Sequence, residues 1–161
     1  MTEPAPAPLD EATAFHEAGH AVAALALERP VMKVSIRPDR EKLGICAFGK
    51  AVIRPSQDWL EREMLIALAG MAAEANRTGT YDRAAAGRDL AYVQKLALQR
   101  AGNERQAERL ERRMLARVEH LLGQEPHWAA VEAIAAALLQ AGEISGRQAR
   151  HLFEECLRRA D

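Results

Sequence analysis

Two histidines four residues apart bracket a glutamate in the run His16-Glu17-Ala18-Gly19-His20. On a helix, positions i and i+4 share a face with Cβ atoms about 5–6 Å apart, so two imidazoles can converge on one ion. Zinc accepts such nitrogens at about 2.0–2.1 Å and, in catalytic sites, keeps one position for water. Glu17, one residue on from His16, points to the flank of that face, where its carboxylate can take a proton from the metal-bound water. One reaction, metal-assisted hydrolysis, accounts for all three residue types.

A catalytic zinc takes three protein ligands, and the stretch after His20 offers none. "AVAALALERP" contains no histidine, and its one acid, Glu28, lies too far along the helix to reach back. The candidates are therefore distant: Glu74, Asp82, Asp89, His120, His127 and His151. Glu74 sits mid-helix in "AGMAAEANR", where an acid among small residues reads equally as an inward-facing carboxylate or as a solvated one. Asp89 follows Gly87 and opens "DLAYVQKLA", a place where aspartate commonly complements the helix dipole. The three histidines lie in amphipathic helices or beside Pro126 and read as surface or packing residues. Position alone leaves both Glu74 and Asp89 open.

The pentapeptide needs a helix, and the residues around it supply one. Asp10 is an N-cap with Glu11 in the first turn, and "EATAFHEAGHAVAALALER" runs on to Pro30. Gly19 costs that helix about 1 kcal/mol relative to alanine. Together with Ala14, Ala18, Ala21 and Ala24 it lets other elements approach closely. "VMKVSIRP" then changes to a β-branched alternation, "DREK" is a turn, and "LGICAFGKAVIRP" offers one or two further short strands. From Ser56, read as an N-cap, the rest is helical, with stops at Gly79 and Gly102 and three more helical runs after them. The expected fold is α+β but mainly α: an N-terminal zinc-binding helix, a small antiparallel sheet and a C-terminal helical bundle. Residues 1–8, "MTEPAPAP", read as a flexible proline-rich tail, and 9–161 as one domain.

Composition narrows the partners. A formal net charge of −1 gives no global attraction to nucleic acid or anionic membranes. The arginines at 100, 105, 109, 112, 113 and 117 are interleaved with Glu104, Glu108, Glu111 and Glu119 at helical spacings, the pattern of a solvated, ion-paired helix. Aromatics at 4% are too sparse for base stacking, and Trp59 and Trp128 read as packing anchors near helix starts. Cys46 and Cys156 are too far apart in sequence to suggest a disulfide framework or thiolate zinc site. The start has no secretory pattern, and no apolar run approaches the roughly 20 residues of a membrane span. The reading is a cytoplasmic protein with no nucleic-acid and no membrane partner.

The ordered set of segments resembles the peptidase domain of FtsH-type zinc metalloproteases. "AFHEAGHAVAAL" starts the resemblance, and "VMKVSIRPDREKLGICAF" is similar to the family's strand, turn, Leu-Gly, strand segment. "LAGMAAEANRTG" resembles its Leu-Gly-Gly-Arg-x-Ala-Glu helix, with Ala69 and Met71 departing from it. "AAAGRDLAYVQKLALQRAG" resembles its Gly-Ala-x-x-Asp-Leu segment with Ala85 in place of the glycine, and "VEAIAAALLQAGEISGRQARHLF" its terminal pattern. The resemblance implies that Asp89 joins His16 and His20 around one Zn2+ per chain, that Glu17 is the general base, and that Glu74 supports the site from its outer shell. It further implies that Gly44, Ile45, Cys46, Ala47 and Phe48 form a strand that receives the polypeptide substrate by β-addition.

The family's peptidase is preceded by a membrane anchor and an ATPase module, for which these residues offer only the short tail. "GICAFGKA" nearly spells a phosphate loop, but Ala51 stands where the magnesium-holding hydroxyl belongs, and no strand-to-helix context surrounds it. The expectation is thus a zinc endopeptidase that cuts flexible or unfolded polypeptides without ATP by itself. It would borrow a separate unfoldase for folded substrates, with oligomerisation left open. The rival is a non-catalytic, metal-bound adaptor or regulatory module derived from a peptidase, which an intact Glu17 disfavours.

Overall fold

The computed structural model describes residues 10–38, 44–49 and 58–161. Six helices and three short strands follow in the order α1 (Glu11–Ala26), β1 (Val31–Ser35), β2 (Ile45–Phe48), α2 (Trp59–Thr78), α3 (Gly87–Arg100), α4 (Glu104–Gly123), α5 (Glu125–Ala141), β3 (Glu143–Ser145) and α6 (Gly146–Ala160). This is the expected mainly α arrangement with a small antiparallel sheet. The 1–8 tail, the Asp39–Lys42 turn and the Ser56 cap lie outside the described residues.

Caps fix the helix starts. Asp10 accepts from Ala12 N at α1, Asn103 from Gln106 N at α4 and Ser145 from Gln148 N at α6. At α2 the cap is Asp58, which accepts from Glu61 N, so this helix starts at Trp59. Trp59 is 37% exposed rather than an anchor, whereas Trp128 does pack, with its ring 5.9 Å from that of Phe15. α1 ends at Ala26, four residues before Pro30, because the chain turns through a left-handed Glu28 at φ 61°.

The sheet order is β2-β1-β3, antiparallel throughout. A register irregularity between Val31 and Lys33 leaves Met32 and Lys33 exposed while Val31, Val34 and Ser35 are buried, so the strand departs from simple alternation. β3 has only three residues and is not announced by the sequence pattern; Val34 pairs with its buried Ile144. α1 lies at the centre, packed against α2, α5 and the sheet, and α4 and α6 close the bundle around Met64, Met71, Met114, Ile134 and Leu138. Among the described residues, no helix is long and apolar enough to cross a membrane.

Candidate metal centre

The site begins where α1 and α2 come unusually close. A Cβ placed on Gly19 would stand 2.5 Å from both Ala69 O and Ala73 Cβ, so only glycine permits this approach. The same contact explains the penalty α1 accepts at Gly19. α2 in turn needs Gly70: a Cβ there would lie 2.6 Å from His16 Nε2 and 2.5 Å from His20 Nε2. The two imidazoles therefore point into space that Gly70 leaves open.

Both rings are held by their other nitrogen. His20 Nδ1 donates to the carbonyl of Ile66 at 2.8 Å, and His16 Nδ1 donates to Glu74 Oε2 at 3.1 Å. A carbonyl can only accept, so His20 carries its hydrogen on Nδ1 and turns the lone pair of Nε2 inward; the Glu74 carboxylate does the same for His16. α3 brings the third group. Asp89, in its first turn, places Oδ2 at 3.0 Å from His16 Nε2 and 3.1 Å from His20 Nε2, while the two Nε2 atoms are 3.1 Å apart. Among the described residues, His16, His20 and Asp89 are the group whose ligand atoms converge closely enough to hold an ion.

Three acceptors facing one another at such distances require a positive charge between them. Ligands of a tetrahedral ion with bonds of about 2.0 Å are separated by roughly 3.3 Å, close to the spacing here. The donor set of two imidazoles and a carboxylate also suits zinc. Without an ion, protons serve. Burial disfavours the charged form of His20, but the Asp89 carboxylate outweighs it and holds the imidazole up at about 9. Burial likewise opposes ionisation of Asp89, yet its hydrogen bonds to His16 and His20 hold its carboxyl well below the usual range.

Glu74 feels burial most, which pushes its carboxyl up against the pull of His16. It touches the outer nitrogen of His16 and not the inner triangle. Glu17 is buried beside the start of β2. A Cβ on Gly44 would stand 2.9 Å from Glu17 Cγ and 3.0 Å from Oε1, so the strand backbone runs against this carboxylate. The field of Glu17 reaches His20 on one side and Cys46 on the other, where burial first, then Glu17, raises the thiol well above its ordinary value. Gly44 and Cys46 are thus the residues of this segment that lie beside Glu17.

The other candidates stand apart. Asp82 Oδ1 accepts from Ala85 N in a turn, His127 Nδ1 donates to Leu121 O and its ring stacks on Phe153, and His151 lies exposed 3.8 Å from Glu155. His120 is exposed near the end of α4. Gly70 and the Ile66 carbonyl were not singled out by the sequence reading. For Gly70 a signal existed, the cost of about 1 kcal/mol for a glycine inside a helix; for a backbone carbonyl there is none.

Comparison with known proteins places the chain in a family. No curated protein matches the chain. The family model described as Peptidase family M41 matches residues 9–103, more than half of the chain, spanning α1 to α3 and hence every residue of the triangle. The terminal segment of the resemblance lies beyond that match. The chain belongs to Peptidase family M41, the FtsH-type metallopeptidases.

Proposed function

We propose that the protein is a zinc-dependent endopeptidase of the cytoplasm that cleaves flexible or unfolded polypeptides without ATP. The observation that carries this reading is the inward convergence of three acceptors beside a buried carboxylate and a strand edge. His16, His20 and Asp89 would hold the ion. When bound, zinc supplies a Lewis acid for the scissile carbonyl and lowers the pKa of water to about 7.

The chain's own residues do the rest. Glu74 and the Ile66 carbonyl hold the two rings in the tautomer that keeps Nε2 free for the ion. β2 is an edge strand among the described residues, so an extended polypeptide can add to it by main-chain hydrogen bonds with little demand on sequence. Glu17 takes the proton of the attacking water on its carboxylate and delivers it to the leaving amine. Folded substrates would need a separate ATP-driven unfoldase.

The test is digestion of casein by the zinc-loaded protein and its Glu17→Gln variant. The variant should keep one zinc and lose at least about 100-fold in rate, the scale of a removed general base. Undiminished cleavage by the variant contradicts the mechanism, and zinc binding without any cleavage by the parent protein favours the adaptor.

A further inference from the structure

The inference concerns the far end of β2 and rests on the peptidase reading above. α1 ends with Glu28 N donating to Leu25 O at 3.3 Å and Arg29 N to Ala24 O at 2.7 Å, a helix stop that ordinarily places glycine at the left-handed position. Here Glu28 occupies it at φ 61°. The turn brings the Arg29 guanidinium over the Phe48 ring, 5.4 Å from its centroid.

Arg29 Nε lies 3.4 Å from Glu63 Oε1, which Arg62 Nη2 approaches to 3.7 Å. Among the described residues, neither Arg29 Nε nor Glu63 Oε1 completes a hydrogen bond, although both atoms are buried. A buried ion pair offsets its desolvation only when hydrogen bonds accompany it. The Arg29 side chain, stacked on Phe48 and buried at Nε against Glu63, is 17% exposed, and a planar guanidinium held in this way is the group that suits a carboxylate.

Strand geometry places this group relative to the site. Cys46 and Phe48 share one face of β2, since side chains alternate along a strand. Cys46 is the residue in the field of Glu17, and Phe48 the one under Arg29. A polypeptide added along β2 repeats the same period, so its side chains beside Cys46 and Phe48 are two residues, about 7 Å, apart. Tyr92, one helical turn beyond Asp89, is 41% exposed and in the field of Glu63 and Arg29, so α3 borders the same corner. We infer that Arg29, stacked on Phe48, forms a subsite for a carboxylate-bearing substrate side chain two residues from the one beside Cys46. The substrates are then flexible segments carrying Asp or Glu at a fixed distance from the cut.

Fluorescein-labelled decapeptides that place Glu, Gln or Lys at each position in turn provide the test. Their anisotropy is followed on the zinc-loaded full chain bearing Glu17→Gln. At one position Glu should bind about tenfold more tightly than Lys. Arg29→Met should erase that preference, Arg29→Glu invert it and Arg29→Lys keep its sign. Absence of a Glu-over-Lys preference at every position overturns the subsite, as does a preference that survives Arg29→Glu. The peptide series on the Arg29-intact chain decides this even where an Arg29 variant fails to fold. Mapping casein cuts made by the unmutated protein separates the two readings. Cuts without a nearby acid overturn the subsite alone, whereas an Arg29-dependent acidic preference in binding without cuts overturns the peptidase reading alone.

Discussion

The α1–α2 seam and the α4–α6 layer are built from the same secondary structure by opposite means. In the seam, glycines and alanines bring two backbones together, and the buried side chains include His16, Glu17, His20 and Glu74. In α4, Ala107, Leu110, Met114, Val118 and Leu122 form one apolar stripe, while the arginines and glutamates between them are largely exposed. One region uses closeness to hold polar atoms at fixed separations; the other uses apolar volume to hold the seam in place. Substitutions beside the polar groups of the seam should therefore act first on the site, and substitutions in the stripe first on stability.

The sharpest way to break that contrast is Gly70→Ala. Its methyl would meet both His Nε2 atoms at 2.5–2.6 Å, so zinc affinity should fall by more than about 100-fold, beyond the usual effect of losing an outer-shell partner. Competition with a chromophoric chelator measures it, and near-native affinity would mean that the rings do not use this space. Met114→Ala should show the opposite profile. Removing a fully buried side chain costs about 2–5 kcal/mol in urea unfolding, with zinc affinity in the folded protein unchanged. The smallest effect is expected for Gly123→Ala, at the last position of α4, where a Cβ meets nothing within 4 Å. That variant should be neutral or more stable by up to about 1 kcal/mol.

The helical layer was the most legible part of the sequence, because caps and apolar periods are local signals. Asp10 is recognisable as a cap and acts where it stands, whereas at α2 the cap is Asp58, two residues past the Ser56 expected from sequence. β3 was not legible, since three residues carry too little alternation to register and its pairing with β1 joins positions more than 100 apart. The choice between Glu74 and Asp89 escaped residue spacing for the same reason. It depends on α3 packing on α2 and α4 so that Asp89 reaches α1 across a separation of 69 to 73 residues, and only resemblance to known peptidases favoured Asp89. The structure gives each acid its own nitrogen of His16, so the two candidates occupy different places around one ring.

The proposed chemistry depends on one triangle, and zinc-edge X-ray absorption of the loaded protein tests it most directly. It predicts one tightly held zinc per chain with two imidazole nitrogens and oxygen ligands at about 2.0–2.2 Å, and loss of stoichiometric zinc in Asp89→Ala. A full equivalent of zinc retained in Asp89→Ala with an unchanged spectrum would contradict it.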